Sequence, residues 1–480
     1  MKIYIAPSLL VFVNGLFGFE LNKEAYQAKQ SNYRVRTPIH AASSNISSSL
    51  INNDMLGNNL CLVFEDHFNT LNFKNWQHEI TLSGGGNWEF QYYTNNRSNS
   101  FVENGILYIK PTLTAEAIGE DAVKEGGRIA LYSGQPSEDC TDHSNFGCER
   151  ISGAPAGGVY INPIQSARLR TVNSMSIRYG KVEVRARTPK GDWLWPAIWM
   201  LPKDSVYGTW PASGEIDIME SRGNKGYPYG NTSQILSTLH WGPNFYLNKY
   251  HLTQGQIQSK TGTFSDNFHI YGLEWSKEGL RTYVDDQTVL QVDFDKSAWE
   301  KGAFDEKTTM NPWKGGDISA PFDQEFYLIM NLAVGGVNGF WPDHPSKPWM
   351  NNSPHAPNEF YNAKSKWLPT WGAGNRRALA IDWVKLKLCY RSYQNLHNRS
   401  ALLGDSGRSQ TPSPSREMDS VKLKMNDRDL DYLESQNDED ITGLSAKVKL
   451  LKNITGKIGD EIRYGNGLID NMVTVAPFLV

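Results

Sequence analysis

The sequence predicts an all-β fold, a sandwich or a barrel, and three observations point there. Short segments of alternating apolar and polar residues recur between about Leu60 and Tyr390: Gly105–Lys110, Gly180–Arg187, Ile270–Trp275 and Ala380–Leu388 are the clearest. Clusters of Gly, Pro and Asn separate them, as tight turns between strands require. No strong helical stripe interrupts the stretch. A single domain of roughly 330 residues is large, but all-β domains accommodate long loops.

The chain has 480 residues, a formal net charge of -3, 21% charged and 39% hydrophobic residues. That balance gives no electrostatic case for nucleic acid or an anionic membrane surface. Aromatic residues make up 12%, with 15 Trp and 22 Tyr, and exposed rings of this kind are platforms for the apolar faces of sugars, although most aromatics are core. Met1-Lys2 followed by the short apolar run Ile3–Phe19 reads as a secretory signal peptide over residues 1–19, with cleavage near Gly18–Glu20. No later segment is long enough to cross a bilayer, so no membrane partner is expected. Four cysteines behind such a leader predict two disulfides. Three connectivities exist; Cys140–Cys148, a short clamp, and Cys61–Cys389, tying the domain ends together, are favoured. Residues 20–55 are a Ser/Asn-rich leader without apolar periodicity.

The chemistry is concentrated in Trp210–Asn224, WPASGEIDIMESRGN. On a regular strand Glu215, Asp217 and Met219 share one face and Glu220 points away. One extra residue around Ile218–Met219, a β-bulge, would swing Glu220 back beside Glu215 and Asp217. Three acids so close repel one another and push at least one pKa up. A polar edge strand of solvated acids fits the spacing too but gains nothing from it. A glycosidase does gain, because it needs one carboxylate to attack and one protonated acid to donate. Two acids on one strand stand close, and a separation of about 5–5.5 Å is that of a retaining double displacement. Glu215 is then the nucleophile, Glu220 the general acid/base, and Asp217 the group between them that tunes the nucleophile.

The run GEIDIMESRGN resembles the active-site signature of glycoside hydrolase family 16, in the laminarinase branch. It is similar in particular to invertebrate β-1,3-glucanases and to β-1,3-glucan-binding and Gram-negative-bacteria-binding proteins. Phe64-Glu65-Asp66, Gly86–Tyr93, Ser166-Ala167-Arg168, Tyr179–Glu183, Trp195–Met200 and Asn331–Gly336 occur in the family's order, and the resemblance covers about residues 55–392. It implies a concanavalin-like β-jelly-roll sandwich over residues 56–392 with a long cleft on its concave face. It implies sugar subsites at Trp195 and Trp199, with Trp210 flanking the catalytic strand. Asn87 and Arg168 match positions that hydrogen-bond glucose hydroxyls, and His240 a histidine on the neighbouring strand. Asn331 and Trp341 are further cleft positions. A structural calcium would draw on Glu65 and Asp382; no organic cofactor is needed. The partner expected is β-1,3-glucan polysaccharide, with microbial cell-wall glycans as a second source, and the protein is expected to be a secreted, extracellular monomer. Many immune glucan-binding members have lost one or both glutamates; all three acids stand here. The 35 or so residues after the signal are too few for the extra carbohydrate-binding sandwich of many insect relatives.

Past the domain comes a polar Pro/Ser linker, residues 393–425, and then a helical C-terminal tail over 426–480. Leu444, Val448, Leu451, Thr455, Ile458, Ile462, Gly465, Ile469 and Met472 form a heptad seam. The tail resembles the SNARE motif of small Golgi-type Q-SNAREs, but Gly465 replaces the central glutamine and an anchor does not follow. That compartment conflicts with a secretory signal, so the tail reads as a fused or misassembled appendage. Three functions compete: a retaining endo-β-1,3-glucanase, a pattern-recognition protein for glucan or lipopolysaccharide with relic acids, and a membrane-fusion adaptor. The intact acids favour the first.

Overall fold

The computed structural model describes residues 60–132, 140–153 and 158–389; the leader, linker and heptad tail lie outside the described residues. The chain divides into two units, Met1–Ser406 and Gly407–Val480, and every described residue belongs to the first. Among the described residues no helix is long and apolar enough to cross a membrane.

Two eight-stranded sheets, all of their pairings antiparallel, form the domain. One runs through Gln287–Asp293, Gly279–Val284, His269–Trp275, Gly180–Arg187, Leu379–Cys389, Ile106–Ile109 and Ser100–Glu103, with Leu60–Asp66 paired to Leu379–Cys389. The other runs through Gln254–Gln258, Gln234–His240, Glu215–Glu220, Leu194–Pro202, Phe326–Val334, Arg168–Arg170 and Gln77–His78, with Ser176–Ile177 paired to Phe326–Val334. The four segments with the clearest alternation are all strands, displaced by one residue at most at either end. Period-two patterning works here because each strand has one face toward the other sheet.

Val182, Val184, Leu273 and Leu386 of the first sheet join Ile198, Met200, Ile216, Ile218, Leu328 and Met330 of the second in one apolar core, all fully buried. The strand Phe326–Val334 is buried along its whole length, so its outward residues are covered as well. That strand and Leu194–Pro202 are paired over nine residues and form the rigid floor on which the functional side chains stand. Gly214 leads into the next strand at φ 84°, and a Cβ there would sit 3.1–3.2 Å from Phe322, Phe326 and Pro321. Only glycine meets both demands.

Cys140 and Cys148 are disulfide-bonded with Cα atoms 5.6 Å apart. The second expected bridge, Cys61–Cys389, is not formed, and Cys61 is a free thiol. The ladder pairs Cys61 with Leu388 and Leu60 with Cys389, so the two cysteines stand one step out of cross-strand register. The Cys389 side chain lies outside the described residues. Cys61 is half-buried, and that burial pushes its thiol pKa up.

Truncating the core at its centre tests this architecture. Ile198→Ala removes a fully buried side chain between both neighbouring strands and should cost about 2–5 kcal/mol. Urea denaturation would show a lower midpoint with the slope unchanged.

Candidate active site

The strand Glu215–Glu220 carries the predicted bulge, and Ile218 is the extra residue. On one side Trp199 pairs with Asp217 and Ile198 with Met219; on the other Asp217 pairs with Thr238 and Glu220 with Leu236. Ile216, Ile218 and Met219 all enter the core, fully buried. Two consecutive core residues reset the alternation, so Glu215, Asp217 and Glu220 share the outer face.

Each glutamate is gripped by an indole N–H rather than by a lysine or arginine. Trp210 Nε1–H donates to Glu215 Oε2 at 2.6 Å, and Trp195 Nε1–H donates to Glu220 Oε1 at 2.9 Å. His240 Nε2 lies 3.2 Å from Asp217 Oδ2, an oxygen with no hydrogen-bond partner among the described residues. The tautomer of His240 follows from its other side. Tyr250 N–H donates to Asn248 Oδ1 at 3.1 Å, which turns the Asn248 amide so that Nδ2–H donates to His240 Nδ1 at 2.9 Å. Nδ1 is therefore an acceptor, and the neutral ring carries its proton on Nε2, on the side of Asp217.

Burial pushes the Glu215 carboxyl from its ordinary 4.5 up to about 8, with repulsion from Asp217 adding to it. Burial likewise drives Asp217 well above the usual carboxylate range, helped by the charge of Glu220. Glu220 is raised too, mainly by burial, against the opposing Trp195 N–H and the Arg222 charge. The Glu215 and Asp217 carboxyls lie close together and each raises the cost of ionising the cluster, so it shares protons instead of standing fully ionised. Glu215, Asp217 and His240 also form a cluster compact enough to hold a metal ion. Three acids sharing protons against tryptophan N–H groups suit acid/base work at least as well.

The other predicted residues fall along a cross-strand row. Arg168 pairs with Asn331, Asn331 with Ala197, and Ala197 with Glu220. Three strand spacings put Arg168 roughly 14 Å from Glu220. Trp199 Nε1–H donates to Asn331 Oδ1 at 2.6 Å, and the Arg168 guanidinium covers the Trp199 ring at 4.5 Å. Arg168 is itself buried and ion-paired to Glu79 at 3.3 Å. Asn87 donates to Glu89 Oε1 at 3.2 Å. Trp210 is 38% exposed, and Phe245 at 5.7 Å and Tyr246 beyond it continue an open aromatic rim.

Three expectations change. Trp195 is not an open platform, since it is only 8% exposed and Phe340 lies flat on it at 3.7 Å. Trp341 is core: it is 1% exposed, packs edge-on to Trp193 and donates to the Gly335 carbonyl. Glu65 and Asp382 are not paired with each other; Glu65 is engaged by His67 and Lys385, and Asp382 by Arg185. Sequence reasoning missed Asn248, Tyr250, Phe340 and Arg222. The first two lie in a loop without periodicity, and Phe340 is far away in the chain. Arg222, two residues past Glu220, stood inside the quoted motif.

The family model for glycosyl hydrolases family 16 matches residues 154–325. Over 340 residues the chain is 48% identical to a beta-1,3-glucan-binding protein of Penaeus monodon, covering 68% of this chain and 90% of that protein. Over 299 residues it is 34% identical to a glucan endo-1,3-beta-glucosidase of Cryptopygus antarcticus, covering 61% and 88% respectively. It is also 34% identical over 294 residues to glucan endo-1,3-beta-glucosidase A1 of Niallia circulans; 57% of this chain matches, and it spans 34% of that protein.

The raised carboxyls have a measurable consequence. Unfolded, Glu215 loses its proton near 4.5; folded, it holds it to about 8. Between those values unfolding releases a proton, so stability falls as pH rises. Glu215→Gln removes that slope. Its melting temperature relative to wild type should climb from about pH 4.5 to about pH 8 and level off above. A difference independent of pH would contradict the assignment.

Proposed function

The chain belongs to glycosyl hydrolase family 16, and from that premise we propose that it is a secreted endo-β-1,3-glucanase working by retaining double displacement. The observation that carries the proposal is the bulged strand with Glu215, Asp217 and Glu220 on one face and an indole N–H on each glutamate. In the first step the ionised form of Glu215, the minor one below about pH 8, attacks the anomeric carbon. The glycosidic C–O bond breaks, and the Glu220 proton goes to the leaving oxygen. In the second step a water attacks the same carbon, gives its proton to Glu220 and frees Glu215.

Asp217 keeps a proton close to Glu215, and the Trp210 N–H supports the carboxylate as it forms. His240, held in one tautomer by Asn248, sets Asp217. The open rim of Trp210 and Phe245 is suited to stacking against pyranose rings of a β-1,3-glucan, from laminarin or a microbial wall. The Cys140–Cys148 disulfide favours an oxidising, extracellular setting.

A second reading is a glucan-recognition protein with little or no hydrolysis, and the similarity to the beta-1,3-glucan-binding protein of Penaeus monodon favours it. The complete set of acids favours hydrolysis. The two separate in one assay, the release of reducing sugar from laminarin by the full chain. Wild type should release it, and Glu215→Gln and Glu220→Gln should each lower the rate by about 10²-fold or more. Laminarin binding without release by wild type would leave recognition as the function.

A further inference from the structure

After the strand Phe326–Val334 the chain folds back, and Phe340 comes to rest on Trp195 with ring centroids 3.7 Å apart and planes 4° from parallel. The Arg222 guanidinium lies 4.0 Å from the centre of the same Phe340 ring. Two groups this close to one ring centre cannot share a face, so Phe340 is sandwiched between Trp195 and Arg222. Arg222 also holds the loop directly, donating from Nη2 to the Phe340 carbonyl at 2.6 Å.

Arg222 is an expensive way to pin a loop. It is 6% exposed, and its Nε and Nη1 lack hydrogen-bond partners among the described residues. Buried unmatched donors on a cation are destabilising, and burial lowers its pKa to about 10. An apolar residue would pack on Phe340 without that cost. The stack ends, however, on the indole whose N–H donates to Glu220 Oε1. A flat sandwich fixes the indole plane, and the plane fixes the direction of that N–H.

We propose that Arg222 and Phe340 are positioning residues which, through Trp195, hold the Glu220 carboxyl in the orientation that delivers a proton to the leaving oxygen. This rests on the reading of Glu220 as acid/base. Glu220 is faced by Asp217 on its own strand, by His240 from the neighbouring strand and by Arg222 from the following loop. Arg222 therefore acts by charge as well as by contact, whereas Phe340 acts by contact alone, and Phe340 variants isolate the positioning effect.

The test compares two substrates with the full chain: laminarin, whose leaving sugar needs a proton, and a 2,4-dinitrophenyl β-1,3-oligoglucoside, whose leaving group does not. In kcat/KM, which reports glycosylation, Glu220→Gln should fall by about 10²-fold or more on laminarin and far less on the aryl glycoside. Phe340→Ala and Arg222→Met should show the same selectivity in weaker form, roughly tenfold on laminarin and within about twofold on the aryl glycoside, being partial losses of that contribution. Phe340→Tyr, which keeps a flat ring, should restore laminarin activity. The substrate ratio is internal to each variant, so a smaller folded fraction cancels; Phe340→Leu replaces Phe340→Ala if the latter does not fold. Equal losses on both substrates, with Glu220→Gln still selective, would overturn the positioning role and leave the stack a structural contact. A non-selective Glu220→Gln would instead remove the acid/base assignment, and the proposal with it.

Discussion

Three carboxyl groups on one strand face cannot all be ionised at close quarters, and much of the surrounding structure answers to that crowding. The groups that approach them are mainly neutral N–H donors: the indoles of Trp195 and Trp210, and the Nε2 side of His240. Lysine or arginine in direct contact would have neutralised the repulsion and pinned the acids as carboxylates. Arg222, the cation that faces Glu220, donates among the described residues to a backbone carbonyl instead. Protons therefore stay in the cluster, on groups whose affinities are raised toward neutrality.

Beneath and beside the acids the sheet is stiffened by buried polar links. Asn331 accepts from Trp199 and donates to Tyr93; Tyr93 donates to Glu89, which also accepts from Gln91. Gln91 in turn accepts from the Val334 backbone N–H at 2.6 Å. Arg168 and Arg170 converge on Glu79. A buried network of this kind fixes side-chain rotamers that apolar packing alone would leave adjustable. The acids' strand adjoins only the Trp199 end of this network, with Asn331 one strand and Arg168 two strands farther on.

The fold was largely legible because strand alternation is a local signal. Gly180–Arg187 was delimited to the residue, and the bulge at Ile218 could be placed because only an extra residue brings Glu220 round to Glu215. What stayed hidden depends on pairing across long separations. Phe340 lies 145 positions from Trp195, and nothing local in either segment announces a stack. The Cys61–Cys389 pairing failed for a related reason: the strands do pair, but in a register one residue away from a bridge. Trp341 misled because its motif neighbourhood is functional while its own side chain fills core.

Ile218 contributes no polar atom to the site, yet it sets the spacing of the acids. Because it and Met219 both face the core, Glu220 stands one residue farther from Asp217 than plain alternation would place it. Any apolar residue that fits the core would keep that phase. Loss of this one position together with the bulge would restore a regular strand and still leave Glu215, Asp217 and Glu220 on one face. The extra residue therefore adjusts reach, the stretch of strand over which two glutamates face one ligand, and not which way they point.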